Sequence, residues 1–505
     1  MKAVMLRTAV CAIALATGSM AVAQHSGHGG MTMPMPAAKK PAAKKKPAAK
    51  KPVAKKAAPK KAAPAKQPGV PDHSTMDHGA MPMPARPAPG PGEAMPTDHS
   101  QMNHSAMGDQ MPAGAHGGHG AMSGALGAYP MTREASGTAW QPDASEHSGV
   151  MVSSGDWTLM GHGMLNLTYD HQSGRRGDDK AFASGMLMGM ARRPIGNGTL
   201  QFRAMVSPDP LMGKSGYPLL LASGETANGT DRLIDRQHPH DFFMELSASI
   251  SQNIGEKSSI FLYGGLPGEP AFGPPAFMHR EAIMDSPEAP ISHHWLDSTH
   301  ISFGVLTAGV VLDRVKLEVS RFNGREPDQH RWNIETGPLD STAIRLSWNP
   351  TNNLSLQGSW GHFEDPEQLE PGLDQKRWSA SALYARDIAP GWKLAGTLAW
   401  GRKAVEGQKD DAYVAEASIK HGGWTVFGRG EITENRELLE LEEHGPAFTV
   451  GKVSLGAVRD FTIADHFALG VGGLLAVNFV PGGLEPLYGS KNPVGAMGFV
   501  RLKVK

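Results

Sequence analysis

The sequence predicts an all-β fold: a transmembrane antiparallel β-barrel of about 14–16 strands, with about 16 the best count, preceded by a disordered N-terminal tail. Three observations lead there. The chain opens with an export signal and has no later apolar run long enough for a membrane-spanning helix. Its second half is written in period-two alternation bracketed by aromatic residues. The stretches between alternating segments are short and long by turns.

Residues 1–23 read as a secretory signal peptide. Lys2 and Arg7 precede an apolar run over 8–22, and Ala21-Val22-Ala23 supplies small residues at a cleavage site. The single cysteine, Cys11, lies within this run, so disulfides and thiolate metal sites are not expected in the exported chain. With no apolar stretch of about 18 residues after Ala23, a closed barrel is the remaining way to cross a membrane, because lipid leaves no unpaired backbone group tolerable.

Residues 24–126 are low in complexity and rich in Ala, Pro, Lys, Gly, Met and His. Such a composition buries too little apolar surface to offset its ordering entropy, and disorder is expected. The part 39–66 carries 12 lysines and no acid, a self-repelling spacer. From Trp140 onward the balance reverses, with 33 basic against 43 acidic residues. Lys-rich composition can signal nucleic acid, but export sets that partner aside. Residues 127–155 read as an irregular lead-in.

The barrel is expected over 156–505. Trp157, Leu159, Gly161, Gly163, Leu165, Leu167 and Tyr169 form one face of a first strand; Met160, His162, Met164, Asn166, Thr168 and Asp170 lie on the other. Roughly 12 residues at about 3.3 Å each, tilted, match a bilayer core. The pattern recurs from Trp392 to Trp400, from Val315 to Val319, from Trp424 to Ile432 and at Val500, Leu502 and Val504. Alternation alone would also fit a soluble sandwich. The connections decide for a barrel: 193–198, 254–257, 349–353, 388–391 and 421–423 are short, whereas 207–240, 267–298, 322–340, 363–375 and 435–446 are long. Outward apolar faces and polar inner faces suggest a wet interior. The expected localisation is the cell outer membrane, in contact with its lipid and with the tail in the periplasm.

The chemistry in the tail is a repeat. Asp72-His73-Ser74-Thr75-Met76-Asp77-His78 is followed by Asp98-His99-Ser100-Gln101-Met102-Asn103-His104-Ser105-Ala106-Met107. Both copies set a Met between two His. Thioethers favour Cu(I) or Ag(I), and imidazoles serve Cu(II) and Zn(II). The candidate tail ligands are His73, Met76, His78, His99, Met102, His104 and Met107. Many weak sites on one chain retain metal through local concentration.

These repeats, between a signal peptide and an acidic barrel, resemble the copper-resistance protein B family. The resemblance implies a periplasm-facing tail that binds copper ions (Cu(I)/Cu(II)), a barrel that anchors the tail or exports metal, and a periplasmic multicopper oxidase or metal carrier as partner. It rests on the architecture and on residues 71–122; the long Lys/Pro/Ala spacer departs from the family pattern.

Two long connections within the barrel concentrate histidine. His238 and His240 flank Pro239, and His293, His294 and His300 lie in the next long connection. If these connections meet on one side of the barrel, His238, His240 and one of His293, His294 or His300 could hold a metal ion; hydrogen-bonded histidines of a rigid plug are the alternative. Met160, His162 and Met164, with Met186, Met188 and Met190 on the next strand, would line the lumen as a soft-cation path or fill space against a plug. Glu245 and Glu416 are expected to face the lumen. No nucleophile-and-base arrangement points to an enzyme. The functional expectation is copper or silver resistance by sequestration or export, with a general porin-like channel as the alternative.

Overall fold

The computed structural model describes residues 122–146, 148–439 and 445–504. The tail ligands from His73 to Met107 lie outside the described residues, as do the signal peptide and the spacer.

The strands run in chain order as β1 (Val150–Ser154), β2 (Trp157–Gln172), β3 (Asp179–Ile195), β4 (Gly198–Val206), β5 (Tyr217–Thr226), β6 (Arg232–Gln237), β7 (Phe243–Gly255), β8 (Ser258–Gly265), β9 (Val305–Leu312), β10 (Val315–Phe322), β11 (Ser341–Thr351), β12 (Leu354–Phe363), β13 (Gln375–Ala389), β14 (Trp392–Val405), β15 (Gln408–His421), β16 (Trp424–Asn435), β17 (Phe448–Ala464), β18 (Phe467–Phe479) and β19 (Val494–Val504). Sixteen of them form a closed antiparallel barrel. Each pairs with its neighbour in sequence, apart from the inserted β5–β6 hairpin, so that β4 pairs with β7. β19 closes the ring on β2, from Gly495 opposite Gln172 to Val504 opposite Gly163. β1 takes the remainder of the same β2 edge, Gly161 to Trp157. Closure leaves no open edge in the lipid zone, as a membrane-spanning sheet requires.

One end of the barrel is closed by two-residue turns such as Gly196-Asn197, Glu256-Lys257, Asn352-Asn353 and Gly422-Gly423. The other carries the long connections, chiefly 207–242, 266–304 and 323–340. β2 starts and β19 ends at the short-turn end. The sequence rhythm is thus a real sidedness.

Alternation assigns the two faces. Leu167, Leu398 and Leu475 are 60%, 64% and 70% exposed on the outside, a surface whose partner is hydrocarbon. Lys316, Glu318 and Arg345 point inward and are fully buried. Among the described residues no helix is long and apolar enough to cross a membrane; strands do the crossing.

The expected wet interior is not what forms. Two segments fill the lumen. Residues 123–146 follow the inner wall of the short-turn end, and their partners advance round the barrel as the chain advances. Arg192 on β3 donates to the Ser123 carbonyl (2.8 Å), Ser251 on β7 to Ala125 (2.7 Å) and Ser259 on β8 to Leu126 (2.5 Å). Lys316 on β10 donates to Thr138, Asn349 on β11 to Gln141 (2.8 Å) and Lys393 on β14 to Ala144 (2.6 Å). Glu146 then pairs with Lys420 on β15 at 3.3 Å. These wall residues satisfy backbone carbonyls that have no strand of their own, which is why a segment without regular structure can be buried. Leu126, Tyr129 and Trp140 pack on Phe261 and Val311. Residues 122–126, assigned from composition to the tail, therefore belong to this inner collar.

The second filling segment is the connection 266–304. Gly401 on β14 allows it to close on the wall, since a Cβ there would lie 2.4 Å from the Trp295 carbonyl oxygen. The hairpin β5–β6 packs with it, and Leu219, Leu220, Leu221, Phe277, Ile283 and Ile291 make an apolar core inside the barrel with Phe427 and Leu474 of the wall. Collar and connection touch: the Ala276 amide donates to Ser136 Oγ at 2.9 Å.

Candidate metal centre

Within this filling, the connection 207–242 brings His240 beside His293 and His300 of the connection 266–304. One ring nitrogen from each lies within 4.8 Å of one from each of the others. All three are buried. Ring centroids are 5.1 Å apart for His240 and His300, and 5.2 Å for His293 and His300.

Each ring has one nitrogen committed. His240 Nδ1 lies 2.8 Å from Asp209 Oδ2, His293 Nδ1 lies 2.8 Å from Asp297 Oδ1, and His300 Nδ1 lies 2.7 Å from the Asp297 carbonyl oxygen. A carboxylate or carbonyl oxygen accepts, so Nδ1 carries the proton and Nε2 keeps its lone pair. The Nε2 atoms of all three rings are buried without a hydrogen-bond partner. An orphaned buried acceptor is costly; three in one place are what a metal ion would satisfy. Carboxylate-oriented imidazoles with free Nε2 atoms are the usual outer support of a metal site, so the residues fit a divalent or monovalent transition-metal ion.

The electrostatics favour the neutral form of His293 and His300. Burial pulls His293 and His300 below the ordinary imidazole range, His300 strongly. Burial would raise Asp297, but the Arg280 guanidinium outweighs it and holds the carboxylate ionised. Arg280 Nη1 lies 2.5 Å from Asp297 Oδ2, and Arg280 Nη2 lies 2.7 Å from Glu416 Oε1 on β15. The site is thereby fastened to the wall.

The other two histidines are near, each beside a glutamate. His238 Nε2 is 3.1 Å from Glu225 Oε1, and its ring centroid is 5.9 Å from that of His293. His294 Nδ1 faces Glu326 Oε1 at 3.4 Å. Of the histidines singled out in sequence, His240, His293 and His300 come together, His238 borders the group beside Glu225, and His294 faces Glu326. In sequence Asp297 stands near these histidines, whereas Asp209 gives no such signal. The spacing His293, Asp297, His300 is i, i+4, i+7, as on one helical face; in the structure a short helix (His293–Leu296) and a 3₁₀ turn (Ser298–His300) meet at the non-helical Asp297.

A cavity of about 50 Å³ adjoins the site, bounded by His238 and His240 and by Met164, Met186, Met278 and Met284. Met160, Met186 and Met188 are buried on the luminal face. Glu416 and Glu245 do face inward, as expected. They act as anchors: Glu416 binds Arg280, and Glu245 Oε1 accepts from Arg203 at 2.7 Å and from Tyr263 at 3.0 Å. A second cluster, His362, Glu364 and Asp374, is open to solvent.

No protein-family model and no curated protein sequence matches the chain. Among solved structures it is similar to OprB of Pseudomonas putida (9% identity, 68% of this chain and 94% of that one, TM-score 0.45). It is also similar to OmpF of Salmonella typhi in complex with daunomycin (12%, 70% and 100%, 0.44) and to an anion-selective porin from Comamonas acidovorans (12%, 69% and 99%, 0.39).

Proposed function

We propose that this chain is an outer-membrane channel for transition-metal ions, with copper the expected cargo, and that the tail repeats collect the metal on the periplasmic side. One observation carries the reading: three buried, clustered histidines whose Nε2 atoms have no hydrogen-bond partner. A plug needs hydrogen-bonded histidines, and these rings are bonded on one side only. Copper in either oxidation state suits imidazole, and the methionines beside the site favour Cu(I). Copper resistance by export or sequestration, beside a periplasmic multicopper oxidase or carrier, is the physiological setting this implies.

The test is competition titration of the full chain with Cu(I), Cu(II) and Zn(II), compared with His293→Ala and His300→Ala. The variants should lose one tight site while the tail sites remain. Identical stoichiometry and affinity would remove the centre from the function.

A general porin-like channel is the second reading, favoured by the closed 16-strand barrel. It requires the luminal filling to leave a path for small solutes. Steady conductance in planar bilayers, indifferent to copper and to the histidine variants, would support it.

A further inference from the structure

The register of β2 and β3 places metal donors opposite one another at three successive luminal positions. Met160 faces Met190, His162 faces Met188, and Met164 faces Met186. The next strand adds Met205 opposite Met188. Luminal positions two apart repeat every 6.6–6.8 Å or so along a strand, and residues directly opposite hold their Cβ atoms about 4.5–5.5 Å apart. Each rung therefore sets two soft or borderline donors on facing positions, and the next rung is a short hop away; at the last rung the Arg501 guanidinium also stands 3.7 Å from Met164 Sδ.

The ends of this ladder are defined. At its foot, Met160 lies against Gly149, where a Cβ would come within 2.8 Å of Met160 Cε, and Arg192, two residues beyond Met190, holds Ser123 of the collar. At its head, Met164 and Met186 wall the cavity that His240 also bounds. The filling segment supplies donors across the gap: Met278 packs on the methionine cluster of the wall, and the His279 ring lies 6.4 Å from that of His162. Methionine is a common filler of irregular space. Filling alone, however, does not call for a histidine within the run, nor for a ladder that ends at a cavity bounded by His238 and His240.

We infer that Met160–Met190, His162–Met188 and Met164–Met186 form a thioether-rich relay that carries soft monovalent ions, Cu(I) or Ag(I), between the short-turn mouth and the His240–His293–His300 centre. The inference rests on the metal-channel reading and adds the oxidation state of the cargo and its route. Thioethers bind Cu(I) and Ag(I) far better than Zn(II) or Cu(II). Neutral donors also spare a +1 ion the trap that a buried carboxylate would make. The ion changes ligands from rung to rung without redox chemistry, so no electron or proton need be supplied.

The experiment uses the full chain in detergent, labelled with ¹³C at the methionine methyls. Resonances are assigned through the single changes Met160→Leu, Met164→Leu, Met186→Leu, Met188→Leu and Met190→Leu, and titrated with Ag(I) and, separately, Zn(II). The five ladder methyls should shift with Ag(I) and not with Zn(II). They should also shift in His293→Ala, so the ladder is read independently of the centre. Ladder methyls that stay fixed while tail methyls move would overturn the relay, whatever the centre binds. Leucine conserves volume, so the variants should fold. As a second measurement, the combined change Met160→Leu, Met188→Leu and Met190→Leu should slow Ag(I) transfer into chelator-loaded vesicles at least about tenfold, and an unchanged rate would overturn the relay equally.

Discussion

Arg280 of the inward connection and Glu416 of β15 form a forked ion pair at 2.8 and 2.7 Å with almost no solvent exposure. The same guanidinium holds Asp297, which in turn orients His293 and His300. One arginine thus ties barrel wall, filling segment and histidine centre into a single polar network. Such a network is demanding in a dry interior, since each member removed leaves the others uncompensated.

Arg280→Met should therefore leave Asp297 without its arginine and Glu416 with Arg429 alone. Removing one partner of a buried pair costs about 3–5 kcal/mol, and denaturant unfolding in detergent should show a loss of that order. Arg280→Lys should recover only part of it, because a lysine lacks the fork that spans two carboxylates.

The orienting carboxylates give a second prediction. Loss of such a partner typically weakens metal affinity by about 10–100-fold. The Asp297 carboxylate serves His293 and that of Asp209 serves His240, whereas His300 is held by the backbone carbonyl of residue 297, which a side-chain change leaves in place. Asp297→Asn and Asp209→Asn should each weaken copper binding, as measured by competition with a chromogenic chelator. Equal, negligible effects would mean that the rings are not ligands.

The outward face offers a control. Leu398 sits at mid-strand on β14 and is 64% exposed. Leu398→Arg should cost about 2–4 kcal/mol in a lipid bilayer, measured by urea unfolding in vesicles. A neutral result would show that this surface does not meet hydrocarbon.

The collar should close the short-turn mouth to hydrated ions. Lys393 and Lys420 hold its last turn through the Ala144 carbonyl and Glu146. The double change Lys393→Met and Lys420→Met should convert a quiet barrel into one with frequent conductance steps in planar bilayers.

The barrel was legible because its signals are local. A side-chain period of two, aromatics at the strand ends and two-residue turns are written in adjacent residues, and Trp157 to Tyr169 already shows both faces. The filling of the lumen was legible only as an alternative, a plug formed by the long connections. Lys316, Glu318 and Arg345 look like pore-lining charges in sequence, and only the fold shows that their partners are Thr138, a neighbouring strand and the connection 266–304. The histidine centre lay between these cases. Its residues were visible as a concentration in two long connections. The choice of His240, His293 and His300 over His238 and His294 depended on Glu225 and Glu326, which lie far away in sequence or on another turn. Composition assigned Ala125 and Leu126 to the tail, although wall serines bind their carbonyls.

The most direct measurement is anomalous diffraction at the copper edge from crystals of the full chain grown with copper. A peak enclosed by the rings of His240, His293 and His300, absent in His293→Ala, is the expected result. Copper found only elsewhere, with the three rings around empty density, would contradict the metal centre on which the proposed function rests.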